Sequence, residues 1–270
     1  MLEYSENDIN ISGWKTHYYR TGGDKSPFIL LHGATDNGLC WTRVAEMLSA
    51  RYDVIMPDAL GHGLSDRLDP AFTFQQHAEQ VAGLVRELNI SQPIIMGHSM
   101  GAGTAVNLAI EYPDIPRAII LEDPPWGVLP PEPESRQPPA ADFRASLIRL
   151  NKLPLEQIIE EGKKQNLSWS DEEILIWAKA KQQFDPSLFS RPIIDQRSYE
   201  ELVPKIKCPT LLIHADAGIV SKATAKRAAE VWESDEPFHA IQIKDAGHNI
   251  RREQYAAFTR ALTDFLSEIS

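Results

Sequence analysis

The sequence has few cysteines, no strongly basic segment and no long apolar run. Its two cysteines, Cys40 and Cys208, are too few for a disulfide framework in 270 residues, and we expect both to be free and buried. A formal net charge of −11, with no run of five basic residues, argues against nucleic acid as a partner. No secretory signal pattern is present, and no apolar stretch approaches the roughly 18 residues that span a bilayer. We therefore expect a cytoplasmic protein that does not bind membranes.

Short apolar runs alternate with longer amphipathic segments. Several of the runs are apolar at successive positions, which is typical of strands buried on both faces of a parallel sheet. The alternation of strands and helices predicts an α/β fold with a doubly wound, mostly parallel sheet. The predicted strands are 27–32, 53–56, 93–97, 117–121, 209–213 and 238–243, and the predicted helices are 41–50, 74–88, 100–111, 222–233 and 252–267.

The alternation is interrupted between residues 124 and 203. Residues 124–139 contain seven prolines in 16 residues, which excludes a helix or a central strand. Helical patterns follow at about 141–151, 154–166 and 171–184, and the strand–helix alternation resumes near Pro204. The sequence thus predicts a core formed by residues 1–123 and 204–270, with a helical cap inserted at 124–203.

A glycine-flanked serine follows one of the predicted strands. Residues 97–101 read GHSMG, between an apolar strand and a predicted helix. This is the G-x-S-x-G pattern in the strand–turn–helix context that exposes a nucleophilic serine at a sharp turn. The N-terminus of the following helix favours negative charge developing nearby. The pattern predicts Ser99 as the nucleophile of a hydrolase.

Two further motifs would complete the chemistry. The turn that begins at His32, directly after an apolar strand, would present the N–H of Ala34 which, with the N–H of Met100, forms an oxyanion hole. His32 itself is expected to brace the turn. His248, after the last predicted strand, would take the proton of Ser99 and return it to the leaving group. We interpret the other seven histidines as surface or structural residues.

Four segments in this order resemble the α/β-hydrolase superfamily: the HGA turn, MPDALGHGLSD at 56–66, GHSMG, and AGHN after the last strand. They are most similar to its small, cap-bearing members, which include esterases, haloalkane dehalogenases and lactonases. The resemblance covers nearly all of 27–123 and 204–268. It implies the α/β-hydrolase sheet with a helical cap, and a structural role for Asp58.

The third member of the triad has three candidates. In the commoner arrangement of the family the acid follows the strand 209–213, but the corresponding position in this sequence is Gly218, and Asp216 lies two residues early. Asp123 follows the strand 117–121, at a spacing from Ser99 that resembles haloalkane dehalogenases and zearalenone-lactonase-like enzymes. We favour Asp123, with Asp216 and Glu122 as the alternatives.

The insertion is rich in large apolar side chains, which implies an apolar pocket over the nucleophile. Trp126, shortly after Asp123, and Trp41 are predicted to line it. A serine in place of the nucleophilic aspartate of dehalogenases favours a carbonyl substrate. We therefore expect hydrolysis of a moderately hydrophobic ester or lactone, without a metal or other cofactor, and a cap that controls substrate range but not the chemistry. A C–C bond hydrolase with the same triad and a slow ligand-sensing protein are the alternatives.

Overall fold

The computed structural model describes residues 3–69, 71–126, 140–190 and 194–269. Its strands are β1 (Ser5–Ile11), β2 (Trp14–Arg20), β3 (Ser26–Leu31), β4 (Tyr52–Pro57), β5 (Ile94–His98), β6 (Ala118–Glu122), β7 (Thr210–Ala215) and β8 (Phe238–Ile243). Its α-helices are α1 (Thr42–Leu48), α2 (Gln76–Glu87), α3 (Met100–Glu111), α4 (Ala140–Asn151), α5 (Leu155–Gln165), α6 (Asp171–Gln183), α7 (Tyr199–Leu202), α8 (Lys222–Glu230), α9 (Ile250–Glu253) and α10 (Tyr255–Glu268).

The strands form one eight-stranded sheet in the order β1-β2-β4-β3-β5-β6-β7-β8. From β4 to β8 all neighbours pair in parallel, whereas β1 and β2 are antiparallel to their neighbours. The predicted α/β class and mostly parallel sheet are therefore confirmed. Strands β1 and β2 were not among the predicted elements. A tight turn joins them at Ser12 and Gly13, both with positive φ.

Two apolar layers enclose the central strands. In β3, Ile29 and Leu31 pack with helices α2 and α3 on one face of the sheet. The alternate residues Phe28 and Leu30 pack with α1 and α10 on the other face. Burial on both faces explains why these strands are apolar at successive positions rather than at every second one.

Between β6 and β7 the described chain is helical, as predicted for the cap. Helices α4, α5 and α6 begin and end within one residue of the predicted bounds. Trp177 and Phe184 are buried in a small apolar core of this insertion, together with Leu147 and Leu150. Ser170 caps α6 by accepting a hydrogen bond from a backbone N–H of the first turn. The proline-rich stretch 127–139 lies outside the described residues.

Two smaller predictions from the sequence can also be compared with the fold. Cys40 and Cys208 are both free and buried, as expected. Within the described part of the chain, no helix combines the length and apolar character that crossing a membrane requires.

Candidate active site

Ser99 lies at the turn between β5 and α3, with φ 50° and ψ −114°, a region that non-glycine residues rarely adopt. Two backbone hydrogen bonds hold this turn: the Ser99 N–H donates to the Glu122 carbonyl and the Gly103 N–H donates to the Ser99 carbonyl, each at 3.0 Å. A Cβ on Gly97 would lie 2.2 Å from the Gly101 carbonyl oxygen, so the motif needs glycine there for close approach. The fold thus presents a strained, partly exposed serine at the N-terminus of α3.

The turn after β3 packs directly against the nucleophile turn. A Cβ on Gly33 would lie 3.4 Å from Ser99 Cβ and 2.7 Å from His98 Nδ1, so the lack of a side chain allows this approach. The backbone N–H groups of Ala34 and Met100 donate no hydrogen bond to any described residue. Two donors at this place are therefore available to a developing oxyanion.

His32 and the loop after β4 fix the position of this turn. His32 is buried, which lowers its pKa, and its Nε2 accepts a hydrogen bond from the Ala59 N–H at 3.0 Å. The Asp58 carboxylate accepts hydrogen bonds from the N–H groups of Gly38 and Leu64, at 2.7 and 2.8 Å. Both side chains are thus engaged within the scaffold around the turn.

His248 and Asp123 are in direct contact. Nδ1 of His248 donates a hydrogen bond to Oδ2 of Asp123 at 2.6 Å. The Asp123 carboxylate is fully buried and also accepts hydrogen bonds from the N–H groups of Ile219 and Val220, at 2.8 and 2.9 Å. An imidazole that donates through Nδ1 keeps Nε2 unprotonated, which is the tautomer a general base needs. The Ser99 hydroxyl makes no hydrogen bond within the described residues, so its proton transfer to His248 belongs to the proposal below.

Asp216 has a different environment. It is exposed and accepts hydrogen bonds from the N–H groups of Asp245 and Ala246, at 3.1 and 3.2 Å, which lower the pKa of its carboxyl. Nearby, a Cβ on Gly218 would lie 2.7 Å from Oδ1 of Asp123. The buried carboxylate of Asp123 thus occupies the space that a side chain at position 218 would need.

Glu122 also lies near the site but pairs with another partner. It is fully buried, and it accepts hydrogen bonds from the backbone N–H and from Nη1 of Arg251, at 2.8 and 2.9 Å. Burial raises the pKa of Glu122, and the guanidinium of Arg251 limits that increase. Arg251 in turn stacks on Trp41, with 4.1 Å from Cζ to the ring centroid. Trp41 is fully buried in the core, contrary to the prediction that it lines a pocket, because its ring packs beneath this buried ion pair.

The sequence analysis attached no function to His98, which lies beside the nucleophile in the chain. Nε2 of His98 donates to the backbone carbonyl of His248 at 2.8 Å, and the two rings are 4.5 Å apart. Burial lowers the pKa of His98 well below its usual value, and the nearby His248 lowers it further. A neutral His98 therefore joins the nucleophile turn to the loop that carries the imidazole. Its place within GHSMG was the available signal.

Trp126 is buried at the start of the insertion and packs against Tyr199, with ring centroids 6.0 Å apart. Its contribution to a substrate pocket stays a prediction, because the residues that follow it lie outside the described chain. Among the described residues, no group of three or more His, Cys, Asp or Glu side chains is arranged to hold a metal ion.

The chain belongs to the alpha/beta hydrolase family. The family model matches residues 28–261, which include the nucleophile turn, the turn after β3 and the loop of His248.

Curated relatives match over different lengths. The chain spans about a third of the length of the first relatives it matches. One of these, the 2-(acetamidomethylene)succinate hydrolase of Mesorhizobium japonicum, is 35% identical over 38% of this chain and 37% of its own. The N-formylmaleamate deformylase of Pseudomonas putida is 25% identical over 96% of this chain and 95% of its own.

Among solved structures, an N-formylmaleamic acid deformylase from Pseudomonas putida superposes with a TM-score of 0.80 and 21% identity. The superposition covers 96% of this chain and 100% of the other. At this level of identity, the likeness concerns the fold alone.

Proposed function

We propose that this α/β-hydrolase is a serine hydrolase that cleaves a moderately hydrophobic carboxylic ester or lactone through an acyl-enzyme on Ser99. The contact between His248 and the buried Asp123 carboxylate carries this proposal. It supplies an oriented base next to a serine in a strained turn, which is the arrangement that nucleophilic catalysis needs.

In the proposed mechanism, Oγ of Ser99 attacks the carbonyl carbon while Nε2 of His248 takes the hydroxyl proton. The N–H groups of Ala34 and Met100 stabilise the tetrahedral oxyanion. His248 then protonates the leaving alcohol, and the C–O bond breaks to leave the acyl-enzyme. Water, deprotonated by His248, hydrolyses the acyl-enzyme and regenerates Ser99. Throughout, Asp123 holds the tautomer of the imidazole and stabilises the imidazolium.

Amide hydrolysis is a second candidate. The relative that aligns over nearly the whole chain is named a deformylase, and the sequence similarity includes the segments of the proposed triad. The same acyl-enzyme chemistry would cleave an N-formyl amide, with His248 protonating the leaving nitrogen instead of an alcohol. The ratio of kcat/KM for paired esters and N-formyl amides distinguishes the two candidates.

The decisive experiment compares Ser99→Ala with wild type on a panel of p-nitrophenyl esters. We expect kcat to fall by several orders of magnitude, about 10⁶-fold in a comparable triad, without unfolding. Ser91→Ala, at an exposed serine before β5, is the matched control and should keep wild-type activity. A fluorophosphonate should label wild type on Ser99 and leave the Ser99→Ala variant unlabelled. Retention of more than about a tenth of the activity would exclude a covalent serine mechanism.

The same panel separates an enzyme from a ligand-sensing protein. Steady turnover after the first equivalent supports an enzyme. A burst of one equivalent followed by very slow release supports the sensing alternative, because the acyl-enzyme then forms without being hydrolysed. A vinylogous diketone substrate tests the C–C bond alternative in the same assay.

A further inference from the structure

The loop after β3, residues 33–37, is held in an unusual backbone conformation, and we call it the oxyanion loop. Thr35 has φ 63°, the left-handed region. A β-branched residue is a genuine outlier there, and such strain persists only where the surroundings impose it. Thr35 directly follows Ala34, the proposed oxyanion donor, so the peptide plane that carries this donor depends on the same turn.

A lysine from the helical insertion contacts this residue. Nζ of Lys181, near the end of α6, donates hydrogen bonds to the carbonyl oxygen of Thr35 at 2.9 Å and to its hydroxyl at 2.8 Å. Lys181 is 4% exposed, and lysine is rarely buried to this extent without a specific partner. Burial lowers the pKa of Lys181 to about 8, an effect that the neighbouring Asp36 partly offsets.

The next two residues of the oxyanion loop are also joined to α6. Nδ2 of Asn37 donates to Oε1 of Gln183 at 2.8 Å. Asp36 accepts two hydrogen bonds from Arg252, at 3.1 and 3.3 Å, and Arg252 donates a third to Glu173 of α6 at 3.0 Å. Three successive loop residues thus depend, directly or through one arginine, on one helix of the insertion.

Arg252 extends this connection towards the catalytic imidazole. It belongs to α9, four residues after His248, and its side chain is almost fully buried. Burial acts to raise the pKa of Asp36, but the charges of Arg252 and Lys181 keep it well below its usual value. The ion pair is therefore formed at neutral pH and ties the helix after His248 to the oxyanion loop.

We propose that Lys181 is a positioning residue for the oxyanion hole: its two hydrogen bonds hold Thr35 in the left-handed conformation that orients the Ala34 N–H. This inference rests on the proposed serine mechanism. It makes α6 a part of the catalytic scaffold, whereas the sequence alone suggests a cap that governs only substrate range. An oxyanion donor acts on the transition state, so its misplacement lowers kcat more than it raises KM.

The test compares the full chain carrying Lys181→Met with Lys179→Met, an exposed lysine on the same helix. Losing one oxyanion donor costs about 10²–10³ in kcat, so we expect a displaced donor in Lys181→Met to lower kcat by about 10- to 100-fold with KM within about threefold. The inhibition constant of phenylboronic acid, which forms a tetrahedral adduct on serine, should rise by a similar factor. Lys179→Met should match wild type in all three quantities.

A suppressor variant separates positioning from general stability. Glycine adopts positive φ without strain, so adding Thr35→Gly to Lys181→Met should restore most of the lost kcat. If Lys181→Met alone does not fold, recovery of folding in the double variant supports the proposal, and failure to recover overturns it. Unchanged kcat in a folded Lys181→Met also overturns it.

Hydrogen exchange provides a readout that does not depend on turnover. The amides of residues 35–37 should exchange at least about tenfold faster in Lys181→Met than in wild type, because the loop loses the contacts that keep it closed. Activity of wild type and Ser99→Ala decides the proposed function. Equal exchange at 35–37 in wild type and Lys181→Met would overturn the role of Lys181, whichever way the activity comparison falls.

Discussion

Strands β6 and β7 pair in parallel, and each is followed directly by an aspartate. Asp123, after β6, is fully buried and bonded to the imidazole of His248 and to two backbone N–H groups. Asp216, after β7, is exposed and bonded to the backbone of the loop that leads to His248. Two carboxylates at equivalent ends of neighbouring strands thus meet the same loop in different ways.

The difference shows what a carboxylate needs in order to orient an imidazole. A buried carboxylate must be satisfied by hydrogen bonds on all sides, and the N–H groups of Ile219 and Val220 satisfy Asp123 on the side away from His248. Those N–H groups come from the loop after β7. The second strand end therefore contributes backbone donors to the acid rather than an acid of its own.

Exchanging each carboxylate for an amide should have the largest effect on this comparison. Asp123→Asn should lower kcat by about 10⁴, because an amide favours the wrong imidazole tautomer. Asp216→Asn, the matched change, should cost less than about tenfold, because its partners are backbone groups of a surface loop. The measurement is kcat on a p-nitrophenyl ester for both folded variants.

A crippled Asp216→Asn with a mild Asp123→Asn would reverse the assignment. If neither variant alone is impaired, a double variant that includes Glu122→Gln tests a shared role, although Glu122 pairs with Arg251.

Filling the space at position 218 should have the next largest effect. A Cβ in Gly218→Ala would lie 2.7 to 2.9 Å from the carboxylate of Asp123, so the carboxylate or its loop must move. A displacement of about 1 Å costs on the order of 10² in rate, and we expect a loss of that order in kcat. In an Asp123→Ala background the same change should have almost no further effect. Equal losses in the two backgrounds would show that the collision is not with Asp123.

Trp126 sharpens the comparison because β6, unlike β7, leads into the helical insertion. Trp126→Ala should change the preferred acyl or alcohol size while hydrolysis of small esters survives, since the indole is predicted to line the pocket. We expect a shift of about tenfold in the ratio of kcat/KM between long and short esters. An equal loss on every substrate would instead assign Trp126 to the catalytic scaffold.

The smallest expected effect concerns the stability contributed by Asp216. Backbone hydrogen bonds lower the pKa of its carboxyl below 3.8, so the ionised form stabilises the fold above that pH. Asp216→Asn should therefore reduce the free energy of unfolding by less than about 1 kcal/mol at neutral pH, because the group is exposed. The difference should disappear as the pH falls below about 3.8 and through the lower folded pKa. Urea unfolding at several pH values measures it, and a pH-independent difference would contradict the assignment.

Much of the fold was predictable because its signals are local. The apolar runs of the central strands and the helical patterns of the insertion gave the elements to within a few residues. The hairpin of β1 and β2 was missed, although its Ser12–Gly13 turn was a usable signal. The predicted helix 252–267 is interrupted at Gln254, which separates α9 from α10.

The candidate site was predictable only in part. Ser99 and His248 are carried by motifs, and Gly218 pointed to Asp123 by elimination. The core position of Trp41 depends on Arg251, 210 residues away in the chain. The contact of Lys181 with Thr35 likewise joins the insertion to the core over a long separation. Such pairings of buried charges are set by tertiary packing and have no local pattern.

The packing of Gly218 against Asp123 limits how this site can change over evolutionary time. A chain that kept Asp123 while gaining an aspartate at 218 would place two carboxylates in one pocket, where they collide and repel each other. A chain that first lost Asp123 would pass through a form with no acid to orient His248. Moving the acid from one strand to its neighbour therefore requires two substitutions whose single intermediates are both impaired, so the two arrangements should persist as separate lineages.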